Sequence, residues 1–252
     1  MTDDQSEPGS WAKAIRETPG LRAEEYTGGN MTRSSKPHIM LDLETWGTEP
    51  GCDIRSIGAC VFDPVTGITE WTGPGTFYVA CENPRREKQF AGRPERRYDL
   101  HRDPRTVQWW SEQSDEAQAA FADPVDLRVA LGRFTHWLMS VAPGDGPIFD
   151  NRDIRLWSHG PAFDPPILAA AYRAVECVVP WHYRAPRDTR TCFDMAGIDD
   201  HSAWLGQYPG PLGVPHHALD DAICQARAVC AAYERVRSLI SDPRVSVSEK
   251  PA

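Results

Sequence analysis

The chain has 252 residues, of which 40% are apolar and 25% charged, ordinary for a soluble globular protein and enough for one α/β domain with extra segments. A formal net charge of −9 supplies no global basic field, which excludes a non-specific nucleic-acid coating protein but not an enzyme that holds nucleic acid in a local groove. Seven cysteines without a C-x-x-C pair argue for buried thiols, not a disulfide framework or a zinc ribbon.

In chain order, residues 1–36 are polar, mixed in charge and interrupted by Pro8, Pro19, Gly20, Gly28 and Gly29, and read as a flexible extension. The first ten residues, "MTDDQSEPGS", hold no apolar h-region, so no signal peptide is expected. From residue 37 the character changes. "HIMLDLE" (38–44), "IRSIGACVFDP" (54–64) and "EWTGPGTFYVAC" (70–81) are predicted strands, the last two joined by a "PVTG" turn. Residues 84–103 read as a loop, followed by predicted helices over 103–124 and 125–140, each with Asp near its start. "IRLWSHG" (154–160) is a further strand and "DPPILAAAYRAVEC" (164–177) a helix with two prolines in its first turn, where they are tolerated. This last segment is too short and too charged to span a bilayer, so no membrane partner is expected and the protein is read as cytoplasmic. The clearest helix is 216–240, with Leu219, Ile223, Ala226, Val229, Cys230, Tyr233 and Val236 along one stripe. Residues 241–252 form a polar tail. The order of strands and helices predicts a single α/β domain over 37–240, built on a mixed sheet.

Within the first strand, Asp42 and Glu44 stand two apart and so point to the same side, while Leu41 and Leu43 point to the core. Two like charges at that spacing repel unless a cation lies between them, and oxygen donors without thiolate or paired histidine suit Mg²⁺ or Mn²⁺ better than zinc. Taken alone, one D-x-E carries little. Asp164 in "AFDPPIL" and Asp221 in "HHALDDAICQA" are two further acidic positions, each with a plainer reading, as an N-cap and as a solvated helix residue. His216 lies five residues before Asp221, about 500° of helical rotation, so the two converge only if His216 sits in the turn before the helix. Asp220, about 100° from Asp221, reads as a surface residue.

The order of D-x-E on the first strand, a mid-chain Asp in "FDPPIL" and "H-x-A-x-x-D" opening a late helix resembles the DEDDh 3′–5′ exonucleases of the ribonuclease-H-like superfamily. "MLDLETWGTEPGCDIRSIGACVFDP", "TVQWWSEQS", "LWSHGPAFDPPIL", "RDTRT" and "HHALDDAICQA" are similar to the branch of phage DexA-type exonucleases and the mycobacterial exoribonuclease, over about residues 37–235. The resemblance implies a ribonuclease-H-like α/β fold with a mixed five-stranded sheet flanked by helices. It implies that Asp42, Glu44, Asp164 and Asp221 hold two divalent cations, Mg²⁺ or Mn²⁺, with His216 as general base. The implied reaction removes nucleoside 5′-monophosphates from the 3′ end of a single strand, RNA being favoured over DNA, and members of the branch can be homodimers.

For substrate contacts, the resemblance points to Thr45 and Trp46 after the D-x-E pair, where relatives often carry Thr-Gly, and to Arg190 in "RDTRT". His159 is read as a substrate contact or a structural hydrogen bonder. Residues 85–106 carry eight Arg or Lys against four Asp or Glu, with Phe90, Tyr98 and His101 interleaved, a composition suited to phosphate contact and base stacking. Of the neighbours Trp109 and Trp110, at least one belongs in the core and the other is available for a groove or a dimer contact. Two further readings are an exodeoxyribonuclease and a non-catalytic nucleic-acid-binding protein on the same fold. A zinc hydrolase using His159, His182 and His216 lacks a recognisable zinc spacing.

Overall fold

In a computed structural model of the chain, residues 36–67, 73–85, 96–142 and 154–241 are described. The expected extension lies outside them save for Lys36, and the expected tail save for Ser241. Six strands are present among the described residues: β1 (His38–Thr45), β2 (Ile54–Phe62), β3 (Thr76–Glu82), β4 (Val125–Asp126), β5 (Arg155–Ser158) and β6 (Pro186–Asp188). The described helices are α1 (Pro104–Ser111), α2 (Asp115–Ala119), α3 (Leu127–Val141), α4 (Asp164–Ala174), α5 (Thr189–Met195), α6 (His201–Leu205) and α7 (Ala218–Ser241). The predicted helix over 103–124 is two short ones, because the Ser114 hydroxyl caps a new start by accepting from the Ala117 amide.

The strands form one mixed sheet in the order β4-β3-β2-β1-β5-β6. β1, β2 and β3 are antiparallel neighbours, whereas β5 runs parallel to β1 and β6 parallel to β5. The sheet is thus α/β and mixed as expected, with six strands instead of five; the additional edge pairing, β3 with β4, holds only two residues.

Period-two alternation along β1 divides the protein into two cores. Ile39, Leu41 and Leu43 join α3 and α4 in one core, whereas Met40 joins α5 and α7 in the other. Asp42 and Glu44 continue the Met40 row, so both carboxylates face the side covered by α7. The stripe predicted on the last helix is the one that packs there, from Leu219 through Val236. Gly58 on β2 pairs with Asp42. A Cβ at Gly58 would overlap the backbone of Ala218 and Leu219. Glycine there lets the first turn of α7 lie directly on the sheet, beside Asp42. Because β1, β5 and β6 are parallel, their carboxyl ends meet at one edge, where Glu44, His159 and Thr189 lie.

Candidate active site

Asp42 and Glu44 project from the end of β1, while the Asp42 Oδ1 accepts a hydrogen bond of 2.7 Å from the Gln225 side-chain amide on α7. Asp164 opens α4 but is no N-cap: that position is Phe163, with no side-chain cap. Pro165 and Pro166 remove two first-turn donors, and the Asp164 carboxylate instead accepts from the Leu43 amide at 3.1 Å. Asp221 sits one turn into α7. His216 occupies the turn before that helix at φ +61°, the placement in which it can converge with Asp221. Ligating atoms of Glu44, His216 and Asp221 all lie within 4.8 Å of one another.

Electrostatics marks the same point. Burial, reinforced by Asp164, Glu44 and Asp221, holds Asp42 well above the ordinary carboxylate range. Glu44 is pushed up to about 8 by burial together with Asp221 and Asp164, against the opposing charge of Arg55. Burial raises Asp164 to about 7, and burial with Asp220 raises Asp221 to about 6. Four acids that resist ionising together are a poor arrangement without cations and a good one with them, since a divalent ion reverses the sign of every repulsion. The all-oxygen set suits a hard cation, and the residues present fit such a group.

A cleft of about 540 Å³ opens on this centre, with Asp42, Glu44 and Asp221 at its floor. Trp109, Thr106, Arg105 and Phe163 contribute to its walls, and His216 stands between the wall and the acids. Trp110 is 2% exposed and donates its indole N–H to the Thr45 carbonyl at 2.8 Å, whereas Trp109 is 41% exposed. The tryptophan pair therefore divides as expected, one in the core and one on the groove. The Trp109 ring meets the His216 ring edge-on, with centroids 4.9 Å apart. Burial lowers the His216 pKa, which keeps the imidazole neutral and able to accept a proton.

The remaining anticipated contacts divide. Thr45 lines the cleft and its hydroxyl donates to the Gly47 carbonyl at 2.6 Å. The Trp46 ring is packed between two guanidinium groups, Arg55 at 4.3 Å and Arg102 at 4.4 Å, so it is Trp109 that presents an indole to the cleft. His159 holds Thr189 through Nδ1 at 2.7 Å and receives the Arg190 Nε–H on Nε2 at 3.4 Å. Burial lowers His159 to about 4, consistent with a neutral ring that donates to Thr189 and accepts from Arg190. His182 stacks on Tyr183 instead, and among the described residues the metal-capable group is Glu44, His216 and Asp221.

Two expectations are corrected. Asp220 is no surface residue. It is 3% exposed and accepts from the Leu212 and Val214 amides at 2.8 and 3.1 Å, fixing the loop that delivers His216. Its side chain lies so close to Gly210 that a Cβ there would overlap it. Tyr98, expected in a base-stacking loop, is 7% exposed and donates its hydroxyl to Asp126 at 2.7 Å. Phe90 lies outside the described residues, and Arg105 is the residue of the basic stretch that reaches the cleft wall among those described. Sequence reasoning missed Gln225, whose helical position carries no signal of what it faces.

The family described as 3′-5′ exoribonuclease Rv2179c-like domain matches residues 37–233. The chain belongs to that family. It is described as a family of 3′–5′ exoribonucleases, in agreement with the activity that the order of motifs implied. No curated protein matches the chain. Among solved structures, two of Exonuclease I cover 84% of this chain and 42% of their own: an ExoI/SSB-Ct complex at 14% identity and TM-score 0.46, and E. coli Exonuclease I with a dT13 oligonucleotide at 17% and 0.45. The RNase domain of yeast Pop2 covers 83% of this chain and 80% of its own, at 12% identity and TM-score 0.43. The chain thus spans less than half the length of the Exonuclease I chains it matches.

Proposed function

We propose that this protein is a metal-dependent 3′–5′ exoribonuclease that shortens single-stranded RNA and releases nucleoside 5′-monophosphates. The observation that carries the reading is the cluster of Glu44, His216 and Asp221, with ligating atoms within 4.8 Å of one another, beside Asp42 and Asp164, whose charges act on the same carboxylates. The four carboxylates would hold two divalent cations, Mg²⁺ or Mn²⁺. Such cations, when bound, acidify a water and stabilise charge on a leaving 3′ oxygen.

The chain's own residues supply the rest. His216 is the general base: a neutral ring nitrogen at the cleft wall takes the proton of the attacking water, and the Trp109 edge limits how the ring can turn. Gln225 and the Leu43 amide each hold one carboxylate oxygen, leaving the others for cations. Thr45 and the backbone through Trp46 form the wall nearest the 3′ nucleotide. Arg190, which donates to His159 just past the carboxyl end of β6, would meet a phosphate. The seven free thiols suit a reducing compartment such as the cytoplasm.

The family description supports RNA as substrate. The test uses 5′-labelled single-stranded RNA and the matching DNA, with Mg²⁺ or Mn²⁺, and with Asp221→Ala and EDTA as controls. A ladder shortening from the 3′ end, faster on RNA and lost in both controls, is the expected result. Faster loss of DNA overturns the substrate assignment, and an intact oligonucleotide in every metal-containing lane overturns the activity.

A further inference from the structure

His216 has a histidine neighbour, His217, which is half-buried and takes no part in the chemistry above. The two imidazoles part at the left-handed His216. The His216 ring stands against Trp109, whereas the His217 ring lies flat on Tyr78 of β3, with centroids 4.2 Å apart and planes 19° apart. His217 also caps α7: its Nδ1 accepts from the Asp220 amide at 3.4 Å and its carbonyl accepts from the Asp221 amide at 3.0 Å.

Strand register explains why a tyrosine from β3 is there. Gly58 pairs with Asp42 on one side and with Tyr78 on the other, so the three residues form one row across the sheet and point to one face. That face is the one covered by α7. Gly58 has no side chain, and the first turn of the helix descends onto it. Tyr78, next in the row, meets the residue just before that turn. Its hydroxyl donates to the carbonyl of Ala120, the C-cap of α2. Beside Ala120, the Phe121 ring packs edge-on against Trp110 at 5.0 Å, and Trp110 and Trp109 both meet the His216 ring edge-on. One tyrosine thus touches the turn that carries His216 and the wall that His216 leans on.

We propose that Tyr78 is a positioning residue for His216, acting through the ring of His217. The inference rests on reading His216 as the general base. A left-handed residue with a side chain persists only where its surroundings over-determine it. The cap fixes where α7 begins, and the stack on Tyr78 stops the preceding turn from rotating about that cap. Tyr78 touches neither substrate nor cation. A tyrosine that only packs would cost stability when removed and leave turnover by the folded protein intact, whereas a positioning tyrosine costs kcat.

The test measures turnover of 5′-labelled single-stranded RNA, Mg²⁺ binding by calorimetry and denaturant unfolding in full-length wild type, Tyr78→Phe, Tyr78→Leu, His217→Phe and His217→Asn. Tyr78→Leu is expected to lower kcat roughly 10- to 100-fold, as when a reacting group is displaced by about 1 Å, with KM and Mg²⁺ affinity unchanged. Tyr78→Phe keeps the ring and should restore most of the turnover. His217→Phe keeps the stack and loses the cap, so it should be less stable than His217→Asn and yet turn over faster. Wild-type kcat in folded Tyr78→Leu, Tyr78→Phe as impaired as Tyr78→Leu, or His217→Asn faster than His217→Phe each overturns the proposal. Should Tyr78→Leu fail to fold, the two His217 variants decide. The His216 imidazole resonances, identified by comparison with His216→Gln, need no activity: they are expected to shift in Tyr78→Leu and His217→Asn but not in Tyr78→Phe. A wild type that cleaves nothing overturns the exonuclease reading, while these resonances still judge the positioning, and resonances unmoved by loss of the stack overturn it.

Discussion

His216 sits where a single rotation of the backbone decides whether it meets the acids. Its φ of +61° is a left-handed conformation that a residue with a side chain adopts at a cost of about 1–3 kcal/mol, and such strain collects at sites where geometry matters. His216→Ala is expected to lower kcat by roughly 10²- to 10⁴-fold, the usual range for a lost general base. Its Mg²⁺ affinity should change far less than with Asp221→Ala, which would remove one of the proposed ligands. A His216→Ala variant with kcat near wild type would remove the residue from the chemistry.

The carboxylates make a second expectation at this scale. In the metal-free protein, Glu44, Asp164 and Asp221 hold protons up to about pH 8, 7 and 6, whereas the unfolded chain releases them near about pH 4. The folded state therefore binds more protons across that interval, and stability present at low pH is lost as pH rises through those values. Melting curves in EDTA should show a lower transition at pH 8 than at pH 5, with a shallower decline in Glu44→Gln. Metal-free stability that increases over this range would contradict the reading of a strained acidic cluster.

Among the elements, α7 does the most to assemble the site, and its position depends on residues at its start. Gly58 lets the helix lie on β2, and Asp220 ties the preceding loop to the helix by accepting hydrogen bonds from two backbone amides. Gly58→Ala forces a methyl group against the backbone of Ala218 and Leu219 and is expected to destabilise the fold by about 1–3 kcal/mol, as overpacking does. Asp220→Ala should cost a similar amount, about 1–3 kcal/mol for amides left without partners, and should reduce activity by loosening His216. Denaturant unfolding alongside turnover measures both, and an Asp220→Ala protein with unaltered stability would mean the loop is held elsewhere.

The elements also show what a sequence can display. β1 was legible because its alternation is strong and its two acids interrupt an apolar row. α7 was legible because its stripe runs for five turns. β6, three residues including Pro186, and β4, two residues, have no period to read and exist only through their neighbours. The four carboxylates were singled out through an order of motifs that resembles the exonucleases, since each had a plainer local explanation. Asp220 was misplaced because helical rotation gives a direction from Asp221 but not what occupies that direction, here the 210–214 loop. Trp46 was expected at the substrate because of its place in the chain, and no local pattern announces the two arginines that enclose it.

At the scale of the whole molecule, net charge and function pull in different directions. A chain with a formal charge of −9 repels a polyanion at long range, and the carboxylate centre adds to that repulsion until cations enter. Divalent cations therefore have two effects on the same encounter, completing the site and reducing the negative field in front of it. Among the described residues no helix is long and apolar enough to cross a membrane. The mixed sheet gathers the carboxyl ends of β1, β5 and β6 at one edge, and the helices that follow β5 and precede the C-terminus deliver Asp164 and Asp221 to it.

The central claim is that this edge is a divalent-cation site. Crystals grown with Mn²⁺ and a nucleoside 5′-monophosphate, with anomalous diffraction recorded at a wavelength sensitive to manganese, would test it most directly. Anomalous peaks bounded by Asp42, Glu44, Asp164 and Asp221, with His216 facing the phosphate, are the expected result. Anomalous density elsewhere on the protein, with none among these four carboxylates at saturating Mn²⁺, would contradict it.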